Sequence, residues 1–80
     1  MARLKNAMQA GLVALLLETL PVEGKETLLT FQEMLQNAQG KEEKLKEQIR
    51  LYIYIRVLAE AEIISETESD TLQAYFIPDF

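Results

Sequence analysis

The carboxylates Glu66, Glu68 and Asp70 have a spacing that could bind calcium. They match the first, third and fifth positions of a calcium loop, which supply its first oxygen ligands. Such a loop also needs glycine at its sixth position and glutamate at its twelfth, where Thr71 and Ile77 stand. The motif is therefore incomplete, and acids in the first turn of a helix are explained by the positive end of the helix dipole.

Few side chains of this chain could carry out catalysis. The sequence has no histidine and no cysteine, so the commonest general base, the usual zinc ligands and disulfides are all missing. Serine occurs only at positions 65 and 69, and the three glycines are too scattered to form a phosphate-binding loop. We therefore predict that the protein is not an enzyme and binds neither a metal nor a cofactor.

Basic residues in the second half of the chain could form a strip for nucleic acid. They are Lys41, Lys44, Lys46, Arg50 and Arg56. On a helix, however, Lys44 and Lys46 point about 200° apart, and acids such as Glu47 are interleaved with them. This pattern favours a solvated helix face, so direct nucleic-acid binding is not expected.

The net charge of −5 is unevenly distributed. Residues 1–56 contain eight basic and seven acidic side chains, whereas residues 57–80 contain six acids and no base. This distribution argues against broad attraction to phosphate backbones. It leaves open one alternative function, in which the acidic region mimics nucleic acid and blocks a DNA-binding protein.

The segment 49–58, I-R-L-Y-I-Y-I-R-V-L, is apolar on every side if it is helical. An element of this kind has to be buried on every side, by the rest of the chain or by a second copy. We predict an oligomer interface on this segment, formed by Leu51, Tyr52, Tyr54, Ile55 and Leu58. Arg50 and Arg56 should form a buried ion pair there, with Glu60, Glu62 or the acids of 66–70 as partners.

The same segment also alternates with a period of two, which is typical of a β-strand. Its flanks, K-E-E-K-L-K-E-Q and A-E-A-E, are strong helix formers, and no breaker separates them from it. We therefore predict a helix, with a strand at 49–57 as the open alternative.

Breakers and capping residues divide the chain into four predicted helices, at about 2–19, 24–39, 41–63 and 66–76. Pro21 ends the first, Gly40 separates the second from the third, and Ser65 with Glu68 forms a capping box before the fourth. The prediction is an all-α single domain, 1–80, with a central apolar third helix. Because 80 residues bury only a small core, we expect a homodimer formed through the third helix and the first.

The segment 69–76, S-D-T-L-Q-A-Y-F, has leucine at position 72 and aromatic residues at 75 and 76. It resembles the PCNA-interacting peptide box of sliding-clamp ligands, although Ser69 stands where the box has glutamine. The resemblance implies that Leu72, Tyr75 and Phe76 dock on a clamp, and that the protein is an accessory factor of DNA replication or repair. The simpler interpretation is that these three residues form the buried face of the fourth helix.

Surplus apolar surface without catalytic groups favours a non-catalytic interaction module. Such a protein would be a small regulator, adaptor or inhibitor that acts as a homo-oligomer and binds another protein through an apolar helical surface. The longest apolar run of the first helix, residues 10–17, is too short to span a membrane. Together with the lack of cysteine, it leads us to expect a cytoplasmic protein.

Overall fold

The computed structural model contains four α-helices and describes the backbone of residues 2–80 and the side chains of residues 8–80. The helices are α1 (Ala2–Thr19), α2 (Val22–Gln36), α3 (Gly40–Glu60) and α4 (Glu66–Phe76). Residues 2–80 contain no strand, so the all-α prediction is confirmed and segment 49–57 is helical. None of these helices, as far as they are described, is long and apolar enough to cross a membrane.

The second helix begins and ends earlier than the sequence pattern indicates. It begins at Val22 rather than Gly24, because Pro21 can precede a helix and its carbonyl accepts a hydrogen bond of 3.0 Å from the Lys25 N–H. It ends at Gln36 rather than residue 39. Gly40 then has a φ of +81°, which glycine adopts without strain, and the chain turns into α3 there.

The third helix ends at Glu60, three residues before its predicted end. Glu62 adopts a left-handed conformation with a φ of +60°. The Ile63 N–H donates to the Leu58 carbonyl at 2.9 Å, a pattern that closes helices after such a residue. A side chain in this conformation costs about 1 kcal/mol relative to glycine, and in return the chain reverses within a few residues.

The boundaries of α4 agree with the sequence at both ends. The Ser65 hydroxyl accepts a hydrogen bond from the Glu68 N–H at 3.1 Å, and the Glu68 carboxylate accepts one from the Ser65 N–H at 2.7 Å. The predicted capping box is thus confirmed, and it satisfies two backbone donors that the helix leaves unpaired.

The third helix is central, as predicted, because it packs against both α2 and α4, and α1 packs against α4. It contributes Leu51, Ile55 and Leu58 to the core. The third helix also contributes Ala59, and the other buried apolar residues come from the remaining helices and the segments that follow the helices: Val13, Leu20, Leu28, Ile64, Leu72, Phe76 and Ile77. Each described helix therefore contributes to one shared core.

We expect Leu28→Ala to reduce the free energy of unfolding by about 2–5 kcal/mol, because it leaves a cavity beside α3. Leu28 has no exposed surface, whereas its neighbour Leu29 is 39% exposed. Leu29→Ala is therefore the matched control and should cost less than about 1 kcal/mol. Urea unfolding measures both values, and equal losses for the two variants would contradict this description of the core.

Candidate interaction surfaces

The five residues predicted to form an oligomer interface fall into two groups. Leu51, Ile55 and Leu58 are buried in the core of the single chain. A side chain without accessible surface offers none to a second chain, so these three are core residues here. Tyr52 and Tyr54 retain exposed surface, and their rings lie 5.4 Å from Phe80 and 5.6 Å from Phe31.

A different row of apolar side chains on α3 is exposed. It consists of Leu45, Ile49, Ile53 and Val57, each between 41% and 54% exposed. The spacing of four residues places them in one line along the helix. We call these four residues the α3 row. A helix that is apolar around its circumference is expected to leave some apolar side chains exposed. The packing of α2 and α4 decides which residues those are.

A groove of about 410 Å³ runs beside the α3 row, between it and α2. Phe31 and Tyr54 line it, and Lys46 and Arg50 give it a basic edge. The guanidinium of Arg50 lies 5.8 Å from the centre of the Phe31 ring, a distance at which a cation is attracted to an aromatic face. The α3 row is therefore an apolar surface with cations along one side.

Glu47 is buried, contrary to the prediction of a solvated face at this position. Its Oε2 lies 3.5 Å from Nη1 of Arg50, close enough for an ion pair, but it makes no hydrogen bond in the described part of the chain. Arg50 also approaches Met34, with Nη1 3.8 Å from Sδ. The polar sequence around Glu47 gave no sign of burial, because burial here depends on where the other helices lie.

Arg56 connects α3 to α4 through two carboxylates of the same chain. Its Nη1 donates to Oε2 of Glu66 at 2.8 Å, and its Nη2 donates to Oε1 of Glu66 at 3.2 Å and to Oε1 of Glu60 at 2.9 Å. These partners are among those named from the sequence. The Glu60 and Glu66 side chains are both largely exposed, so this network lies at the surface rather than in the core.

The charges of this network shift the pKa values of its members in opposite directions. Hydrogen bonds from Arg56 lower the pKa of Glu66, and those to Glu66 and Glu60 raise the pKa of Arg56. Both groups are therefore charged over the whole neutral range. Because the network is exposed, its main effect is to orient α4 on α3, with a modest contribution to stability.

Two of the three residues that match the clamp-binding box are buried. Leu72 and Phe76 are core residues, and only Tyr75 keeps substantial exposed surface. Docking of the box on a clamp would require both core residues to leave their packing. Leu72 and Phe76 thus lie on the buried face of α4, whereas Tyr75 does not.

The first helix has an apolar side that no described residue covers. Met8, Leu12 and Leu15 are exposed there, and a groove of about 410 Å³ separates this side from Thr67, Glu68 and Thr71 of α4. We call this cleft the α1–α4 groove. Gly11 lies one turn before Leu15 on the same helix, at a mid-helix position where glycine costs about 1 kcal/mol relative to alanine.

The two serines and two of the three clustered acids have structural roles in the fold. Ser65 caps α4, and Ser69 is fully buried, with its hydroxyl 3.0 Å from the Gln73 amide nitrogen. No group of three or more acidic side chains among the described residues is placed to hold a metal ion. Glu66 and Glu68 are engaged by Arg56 and Ser65, and Asp70 is exposed.

Comparison of the chain with protein-family models, curated proteins and solved structures finds no match.

We expect Glu66→Gln to lower the melting temperature at neutral pH and to have no effect in strong acid. The pKa of Glu66 is lowered from 4.5 in the folded chain, so the stabilisation is complete above about pH 4.5 and is lost as the pH falls through the lowered pKa. Thermal unfolding between about pH 2 and pH 7 tests this. Asp70→Asn, which removes a carboxylate from the same helix, is the control. A constant difference between wild type and Glu66→Gln at every pH would contradict the prediction.

Proposed function

We propose that the protein is a non-catalytic interaction module that forms a homodimer through the α3 row. The observation that carries this proposal is a line of four exposed apolar side chains on the helix that organises the core. Contiguous exposed apolar surface on a small protein typically marks a contact site. A second copy would also compensate for the small core that 80 residues can bury.

The charges beside the α3 row favour an antiparallel pairing of two α3 helices. Lys46 and Glu60 are exposed and lie seven residues to either side of Ile53, on almost the same face of the helix. If Ile53 packs against Ile53 of the second copy, an antiparallel arrangement brings each Lys46 opposite a Glu60. A parallel arrangement would instead bring lysine opposite lysine, which costs energy.

The proposal that the protein is not a catalyst rests on its lack of the side chains that most often act in catalysis. The sequence has no histidine or cysteine, and its two serines are used as a helix cap and as a buried hydrogen-bonding group. The same composition supports a cytoplasmic location, because a chain without disulfides suits a reducing compartment.

Ile53→Glu should convert the dimer to a monomer, because it would place two unpaired carboxylates at the centre of the contact. We expect the dimer affinity to fall at least about 100-fold, a loss measured by sedimentation equilibrium. Val22→Glu adds the same charge at a 70% exposed site outside the α3 row, and should leave the dimer intact. A wild-type chain that stays monomeric at high concentration would overturn the proposal.

Reversal of the charges at positions 46 and 60 tests the antiparallel register. Lys46→Glu and Glu60→Lys should each weaken the dimer by about threefold to tenfold, and the double variant should recover most of the loss. Because Glu60 also binds Arg56, recovery in the double variant is the deciding result. Additive losses would show that these residues do not face each other.

A further inference from the structure

The α1–α4 groove is a second apolar surface, separate from the α3 row. Val13 of α1 and Leu20 just after the helix are buried in the core, whereas Met8, Leu12 and Leu15 are exposed. These three residues recur at spacings of four and three, so they form a continuous strip along the helix. Across the groove, Thr67 and Thr71 provide a wall of small side chains from α4.

Gly11 makes the backbone of α1 accessible beside this strip. A Cβ atom added at Gly11 would meet no atom within 4 Å outside its own helical turn, so the described part of the chain does not need a glycine here. Gly11 also has an ordinary backbone conformation, since it is not among the residues with positive φ. What the glycine does allow is the close approach of another helix, because no side chain separates the two backbones.

The charge in the described lining of the groove is acidic. Glu68 is the one charged residue in its described lining, and only one of its carboxylate oxygens is used by the Ser65 N–H. Glu18 is exposed on the same helix, three residues beyond Leu15. Neither residues 8–19, the part of α1 whose side chains are described, nor residues 57–80 contain a base that could neutralise these acids. An occupant of the groove therefore gains from positive charge.

We infer that the α1–α4 groove binds an amphipathic helix of another protein, with an apolar stripe flanked by lysine or arginine. The apolar strip would receive the stripe, Gly11 would let the two helices approach closely, and Glu18 and Glu68 would face the basic flanks. A second copy fits less well, because a symmetric contact would bring the same acids of both chains together. Such a helix would be the protein partner of the proposed interaction module, and its binding does not depend on the homodimer.

Fluorescence anisotropy with two designed helical peptides tests the inference on the full chain. Both peptides have about 15 residues with leucine at helical spacing, one with lysine and the other with glutamate on the polar positions. We expect the leucine–lysine peptide to bind at least about tenfold more tightly than the leucine–glutamate peptide. Equal binding of the two peptides would overturn the inference.

Gly11→Leu separates insertion into the groove from simple attraction between opposite charges. The variant keeps every charge and has room for the new side chain, so it should fold with an undiminished melting temperature. We expect it to bind the leucine–lysine peptide at least about tenfold more weakly. Ala10→Leu adds the same side chain at an exposed position on the far side of α1, and should change the affinity less than about twofold.

Two further outcomes distinguish this inference from the homodimer proposal. Ile53→Glu should retain peptide binding, because the α3 row lies outside the α1–α4 groove. If Ile53→Glu abolished binding while Gly11→Leu preserved it, the peptide would occupy the α3 row and this inference would be wrong. If Gly11→Leu instead dissolved the homodimer, α1 would be the self-association surface, and the inference would again be wrong.

Discussion

The packing of one side of α3 against both α2 and α4 is the constraint on which the rest of the structure depends. Leu51, Ile55 and Leu58 lie on that side and are almost completely buried. Because α1 packs against α4, its position follows from how α4 is held on α3. Arg56 supports this arrangement from the surface, where its guanidinium binds Glu60 of its own helix and Glu66 of the next.

This arrangement leaves more apolar surface than the described helices can cover. The third helix is apolar around most of its circumference from residue 49 to 58, but α2 and α4 cover only one side of it. The first helix is apolar from residue 10 to 17, and its packing against α4 again leaves one side exposed. Both surfaces are exposed because a small chain has too few helices to cover every apolar side of α1 and α3.

The two exposed surfaces differ in the charge that surrounds them. Lys46 and Arg50 give the groove beside the α3 row a basic edge, whereas Glu68 is the one charged residue in the described lining of the α1–α4 groove. Apolar area supplies affinity, and charge selects which partner is attracted and in which orientation. The two proposals therefore assign different occupants to the two surfaces, a second copy to the α3 row and a basic helix to the α1–α4 groove.

The number, order and approximate ends of the helices could be predicted from the sequence, because these depend on signals that act over a few residues. Ser65 and Glu68 cap α4, Pro21 and Gly40 interrupt the chain, and the flanks of 49–58 favour a helix over a strand. The early ends of α2 and α3 were missed. The end of α3 depends on the left-handed conformation of Glu62, which a residue other than glycine rarely adopts.

Which side of each helix is buried was decided only by the tertiary structure. Ile53 and Ile55 are the same residue type, two positions apart, yet one is 54% exposed and the other has no exposed surface. Glu47 is buried for the same reason, although its neighbours in sequence are charged and polar. Helix capping and the breaks at Pro21 and Gly40 depend on local interactions, so the sequence by itself determines them. Burial depends on which distant helices pack against a face. The sequence of a helix that is apolar all round therefore does not show which side will be buried and which will be exposed.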